Sequence, residues 1–214
     1  HGVPAPDCSA TKSLTTIDHL SHGRLTVGLG AGWHVPEHEG FGYEYPGVKE
    51  RLDRLVEGIR IIRMMLTQER STFEGRYYQV NNVANYPQPV QERVPIILGG
   101  GGEQRSLRIA AYRADGSNQT YLSVDPFREK QKVLDEWCEH YKRDPKTLER
   151  SINLHFLMSS KEPEKDPGQR GAIWGRPQQV IDQLGAYVDA GAQRINVAVR
   201  PPLDWDALHQ YTEE

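Results

Sequence analysis

The chain has 214 residues, with 26 Lys and Arg against 29 Asp and Glu for a formal net charge of -3; its pI is near 6.3 and its mean hydropathy is -0.68. That balance leaves no broad cationic surface for a phosphate backbone and so argues against a nucleic-acid partner, and no apolar run approaches the roughly 18 residues of a membrane span. The length allows one sizeable core and predicts a single domain over 1–214, the two cysteines match no metal or redox spacing and fit a reducing cytoplasm, and a start at His1 without a leader suggests that the sequence begins partway through a longer protein.

In chain order, polar residues 18–23 read as a loop before a short β-compatible run at 24–30 that ends in glycines. Val48, Leu52, Leu55, Val56, Ile59, Ile62 and Met65 recur at three- and four-residue steps and predict one buried helical face. Residues 72–80 read as a hairpin with a Glu74-Gly75 turn, and Pro87 and Pro89 mark an irregular crossing. A buried strand is expected at 94–98, a glycine run at 99–102 and a helix at 103–113. A weak strand near 117–121, a polar helix over 125–141 and a clear strand over 152–158 come next. Residues 161–169 read as a charged loop. Pro177 then opens a helix with apolar positions Val180, Ile181, Leu184 and Val188, which Gly191 terminates before a strand at 194–199. About five strands separated by helices imply parallel pairing through crossovers, hence an α/β class.

Two glycine clusters follow strands, and glycine there permits positive φ or close approach to a ligand. The first, Gly28-Leu-Gly30-Ala31-Gly32-Trp33, fails the dinucleotide fingerprint at Trp33; the second, Gly99-Gly100-Gly101-Gly102-Glu103, fails it at Gln104 or Arg105. No Gly-Lys pair exists, which disfavours a nucleotide triphosphatase. The second cluster joins a strand to a helix start, a geometry that aims free backbone N–H groups at one point and can cradle a phosphate. A bare βα turn is the alternative, but a turn seldom needs four glycines. For the first cluster, a cofactor contact and a plain turn stand equally open.

His34 and His38 have metal-pair spacing around Glu37, yet Pro36 is expected to interrupt the helix they require, so no metal site is assigned. Trp33 reads either as a wall for a flat ring or as a core aromatic. His155 reads as a hydrogen-bonded core residue rather than a catalyst. Arg105 and Arg108 read as a solvated face, or as contacts to an anionic cofactor tail. No Ser-His-Asp or Cys-His set is present, so hydrolysis has no support.

The run from Leu14 to His34 closely resembles the bacterial luciferase-like superfamily, and more narrowly its actinobacterial-type branch of coenzyme F420-dependent oxidoreductases. The resemblance continues through 41–46, 50–55, 72–78, the Gly99 to Glu103 loop and Ala114-Asp115-Gly116. It implies a (β/α)8 TIM barrel that holds F420 or, in the monooxygenase branch, FMN at the C-terminal mouth. Gly30, Ala31, Gly32 and Trp33 would then lie beside the cofactor, while the amides of Gly99, Gly100, Gly101 and Gly102 and the helix start at Glu103 would hold its phosphate. That places the phosphate loop after the fifth strand rather than the usual seventh or eighth.

In the family roughly ninety residues, carrying the first three βα units, precede the segment matching 11–20, consistent with a barrel of about 250 residues or more. Those units would supply an acid/base histidine in some members, and others place an acid/base glutamate where Trp33 stands, so no catalytic residue is assigned. Residues 1–10 match no family strand and are uninformative. An open five-strand remnant would expose strand edges and predicts a homodimer or poor solubility. Three functions follow: an F420-dependent oxidoreductase acting on a small organic molecule, an FMN-dependent monooxygenase of the same superfamily, or a non-catalytic flavin-binding remnant of a truncated gene.

Overall fold

The computed structural model describes residues 8–157, 170–199 and 204–213, which fall into two compact units. The first comprises the described residues up to Gly99 together with Tyr112–Asp115. It contains α1 (Cys8–Leu20), β1 (Val27–Leu29), α2 (Val35–Gly40), α3 (Val48–Thr67), the antiparallel pair β2 (Arg70–Glu74) and β3 (Gln79–Ala84), and β4 (Ile96–Gly99). β1 and β4 pair in parallel, Val27 opposite Ile96 and Leu29 opposite Leu98.

α3 is the unit's longest element and is amphipathic as its spacing predicts, with Leu52, Ile59, Ile61, Ile62, Met65 and Leu66 buried. Ile61 and Met65 pack against Phe73, Tyr78 and Val80 of the hairpin region. Val48, expected on that face, is 59% exposed at the first turn. The hairpin closes through a four-residue connection, Glu74 opposite Gln79, with a bulge between Ser71 and Phe73. Glu57 fixes it from α3, accepting the amides of Arg76 (2.8 Å), Tyr77 (2.9 Å) and Tyr78 (3.0 Å). A Cβ on Gly75 would lie 2.5 Å from the same carboxylate, so close approach selects glycine there.

The loop expected at 18–23 is shorter than its polarity suggested, because α1 runs to Leu20. Asp18 is wholly buried; its carboxylate accepts the Val90 (2.8 Å) and Gln91 (3.1 Å) amides and the Gln91 side chain (2.7 Å). Beside it Asn85 Nδ2 donates to Thr15 Oγ1 (3.0 Å) and the Met65 carbonyl (2.8 Å). Asp18, read as part of a loop, thus satisfies distant backbone amides inside the fold.

The second unit comprises Gly100–Ala111 and the described residues from Gly116 onward. A π-helical turn at Glu103–Leu107 leads into α4 (Arg108–Arg113), whose last two residues belong with the first unit. Then come β5 (Gly116–Thr120), α5 (Val124–His140), β6 (Glu149–Leu157), β7 (Ala172–Trp174), α6 (Pro177–Asp189), β8 (Arg194–Ala198) and α7 (Trp205–Glu213). β5, β7 and β8 each pair in parallel with β6. Phe127, Ile152, Leu154, Ile173, Val180 and Tyr187 form the core, each worth about 1.5–3 kcal/mol on full burial.

On α6 the apolar face lies differently from its sequence pattern: Ile181 and Val188 are more than half exposed, and Tyr187 is buried with its hydroxyl donating to the Leu122 carbonyl (2.8 Å). The described residues hold eight strands rather than five: the hairpin read at 72–80 supplies β2 and β3 beside the parallel strands, and β7 is too short to announce itself. The expected loop at 161–169 and Met158 lie outside the described residues.

Candidate functional site

In the first unit β1 delivers the chain at Leu29 to Gly30, and Gly32 takes φ +74°, a conformation that L side chains avoid. A Cβ there would also sit 3.0 Å from the His38 ring. Trp33 follows, 81% exposed, which removes its reading as a core aromatic. Its carbonyl accepts the Tyr45 hydroxyl (3.2 Å). Pro36 does not break the local helix as expected. It occupies the first turn of α2, where a missing N–H costs nothing, and His34 is the N-cap. His38 Nδ1 bonds to the His34 carbonyl (3.1 Å), and His34 Nδ1 lies 3.6 Å from Glu37. Among the described residues no group of three or more His, Cys, Asp and Glu is placed to hold a metal.

Behind Gly30, Ala31 and Gly32 lies a cavity of about 340 Å³. Leu29, Leu55, Ile59 and Ile62 give it an apolar floor, and His38, Glu44, Arg51 and Arg54 supply its polar groups. Arg54 bonds Glu50 (2.5 Å) and Glu44 (3.3 Å); burial opposes its charge, and these two carboxylates more than reverse that, raising its pKa. Burial pushes the phenol of Tyr78, which also lines the cavity, above its ordinary range, partly offset by Arg54. Sequence reasoning read the 48–65 segment as a core stripe alone. The signal it passed over was Arg51 and Arg54 beside that stripe.

In the second unit the glycine run closes on its own helix. Gly100 has φ +129°, and its amide donates to the Asn118 carbonyl (3.2 Å). A Cβ on Gly100 or Gly102 would lie 3.2 or 3.3 Å from Ser106 Oγ, and one on Gly101 would lie 3.0 Å from Gln119 Oε1. Leu107 donates to the Gly102 carbonyl (3.0 Å), so the expected helix at 103–113 begins as a π turn. Glu103 is pinned twice: Lys130 Nζ donates to its carboxylate (2.7 Å) and Trp137 Nε1 to its carbonyl (2.8 Å). Gly100, Gly101, Gly102, Glu103 and Gln104 are all exposed, and amides in a first helical turn lack intrahelical acceptors. Gln119, 1% exposed, keeps its Oε1 without a partner beneath the loop. Side-chain-free backbone, first-turn amides and a neutralised Glu103 fit a phosphate.

Arg108 is spoken for by α5, its Nε donating to the Tyr141 hydroxyl (2.6 Å) and its guanidinium 5.4 Å from the Trp137 ring. His155 is buried and lies flat on Tyr121, ring centroids 3.7 Å apart. Asn153 Oδ1 accepts from Asn118 (3.1 Å) and Asn196 (3.0 Å), forming an amide row across β5, β6 and β8.

The sequence model of the luciferase-like monooxygenase family matches residues 9–166. The chain belongs to the luciferase-like monooxygenase family. An uncharacterized protein of Mycobacterium tuberculosis is 29% identical over 188 residues, 88% of this chain and 65% of that protein, so the chain spans just under two thirds of this relative. An F420-dependent glucose-6-phosphate dehydrogenase of Kineococcus radiotolerans is 36% identical over 91 residues, 42% of this chain and 26% of the relative. An FMNH2-dependent dimethylsulfone monooxygenase of Pseudomonas fluorescens is 34% identical over 106 residues, 50% of this chain and 29% of the relative. The solved structure of an F420-dependent secondary alcohol dehydrogenase superposes with a TM-score of 0.83 over 99% of this chain and 74% of that one, at 17% identity. The fold of this luciferase-like chain is therefore α/β with a mostly parallel sheet, of the luciferase-like TIM-barrel type.

Proposed function

We propose that this chain is the cofactor-binding part of an oxidoreductase that uses coenzyme F420 to transfer a hydride to or from a small organic substrate. The observation that carries the reading is the exposed glycine run ending in the pinned turn at Glu103, whose backbone donors suit the cofactor phosphate. Gly99, Gly100, Gly101 and Gly102 let the loop close without side chains, and Lys130 neutralises the one carboxylate at the helix start. Gly30, Ala31 and Gly32 offer open backbone in the first unit, and the exposed indole of Trp33 offers a flat face for ring stacking. When bound, the deazaflavin supplies the hydride-carrying ring; the protein's part is to orient it and to keep water from it.

An FMN-dependent monooxygenase is the second reading, favoured by the 34% identity to the dimethylsulfone monooxygenase. The family match spans residues of both units, which supports treating 1–214 as one luciferase-like domain. Free Cys8 and Cys138 suit the cytoplasm, and the outer edges of β1 and β8 support a homodimer.

A fluorescence titration of the folded chain with F420 and, separately, FMN tests the proposal. Preferential F420 binding, weakened at least about tenfold by Gly101→Val, is expected. Folded protein that shifts neither spectrum sinks both readings, and preference for FMN replaces the first with the second.

A further inference from the structure

The cavity of the first unit has two unlike ends. Leu29, Leu55, Ile59 and Ile62 form one, with no polar side chain among them. At the other, the Arg51 guanidinium lies 3.9 Å above the ring of Tyr45, and His38 packs edge-on against the same ring at 4.8 Å. One aromatic ring thus organises both polar groups.

Arg51 is the distinctive one. Its single hydrogen bond runs from Nη1 to the Pro46 carbonyl (2.7 Å), and its Nε is shut away from solvent without a partner. Glu44 and Glu50 both turn to Arg54 instead, and among the described residues no carboxylate pairs with Arg51. A guanidinium carries five donors in a fixed fork that matches a carboxylate. In a half-buried setting, held flat by Tyr45, it has lost most of its rotamer freedom before any ligand arrives. His38 spends Nδ1 on the His34 carbonyl and leaves Nε2 against the Gly32 side of the cavity. The lining as a whole holds two guanidiniums against one carboxylate. The volume of about 340 Å³ falls within the range of small-molecule sites.

We propose that this cavity binds a small amphipathic carboxylate, its head at Arg51 and His38 and its hydrocarbon over Leu29, Leu55, Ile59 and Ile62. The site lies within the first unit, and the proposal does not depend on which flavin the chain uses. Apolar burial supplies most of the affinity, and the charge-assisted bond to Arg51 supplies the preference for an acid over a neutral analogue.

Isothermal titration of the folded chain with octanoate and with octan-1-ol reads both contributions. Octanoate is expected to bind at least about tenfold more tightly than the alcohol, the effect of one charge-assisted hydrogen bond. Arg51→Met levels the two, Arg51→Lys restores part of the preference, and Leu55→Trp weakens both by filling the apolar end. Circular dichroism checks that each variant folds. If Arg51→Met does not, the wild-type comparison and Leu55→Trp decide. Equal affinity for acid and alcohol, octanoate binding that survives Leu55→Trp, or no octanoate binding by folded wild type overturns the proposal. So does competition with F420 or FMN, which makes the cavity part of the cofactor's own site. Failure of cofactor binding alone leaves the octanoate result intact, so the two proposals fail separately.

Discussion

In the first unit carboxylates accept backbone N–H groups far away in sequence, whereas in the second neutral amides such as Gln193 do, its carboxylates Asp144 and Asp204 reaching only amides two and three residues away. Asp18, Glu57 and Asp115 each accept backbone N–H groups, Asp115 that of Ile96 (2.8 Å) while also meeting Arg63 and Arg93. The second unit relies on Asn118, Asn153 and Asn196, on the Gln119–Ser117 bond (3.0 Å), and on a backbone packed so tightly that Gly171 has no room for a side chain. A carboxylate does this work only when ionised, whereas an amide does not titrate. The units should therefore share a fold and differ in what breaks them.

The largest effect is expected where the second unit is tightest. A Cβ on Gly171 would lie 2.4–2.5 Å from the Tyr121 backbone, and its φ is +65°. Gly171→Ala combines overpacking with a left-handed strain and should cost roughly 3 kcal/mol, read as a fall in the thermal midpoint. A loss under about 1 kcal/mol would mean that the chain around Tyr121 yields easily.

Next is Asp115→Asn in the first unit. It strips the charge that faces Arg63 and Arg93 and leaves two cations without their partner, at a cost of about 2–3 kcal/mol. Amide exchange at Ile96 should quicken while amides of β6 keep their protection. Equal loss in both units would show that they unfold together.

Acid tests the same contrast without mutation. Burial pushes the Asp115 carboxyl up, but the Ile96 amide, Arg63 and Arg93 outweigh it and hold the pKa below the ordinary value. Burial likewise opposes ionisation of Asp18, and Gln91 and Val90 more than reverse it. A depressed folded-state pKa gives stability that is full above the unfolded value near 3.9 and fades as pH falls through the folded value. Both groups lie in the first unit, so exchange protection there should weaken first below about pH 4. Earlier loss in β5 and β6 would contradict this assignment.

Much of this was legible in the sequence. Spacing alone marked α3 and its buried stripe, and glycine followed by a helix marked the loop at Gly99 to Glu103 as a phosphate candidate. What escaped were features that depend on distant partners. Asp18 looked like loop polarity because the amides of Val90 and Gln91 are far away in sequence. Ile181 and Val188 looked buried because periodicity fixes which residues share a helical face, and not how wide the covered part of that face is. Arg51 drew no reading beside the apolar stripe because its partner Tyr45 sits in an irregular segment. The glycines of the second loop were read as freedom for a ligand, and they also answer to Ser106 and Gln119 beneath them.

The smallest effect on stability is expected at Trp33, and there the comparison turns from folding to binding. With 81% of its surface exposed, the indole contributes little burial, so Trp33→Ala should change the unfolding free energy by less than about 0.5 kcal/mol. A single exposed aromatic is ordinary on a protein surface, but the flat face of this one is open to stacking. If it stacks on the cofactor ring, the same variant lowers F420 or FMN affinity about tenfold, the worth of one aromatic contact. Unchanged affinity together with unchanged stability would free Trp33 of both roles and leave the Gly99 to Glu103 loop to carry the cofactor reading. A large loss of stability would instead mean that the indole is covered in solution, by a second copy of the chain or by sequence beyond the described residues.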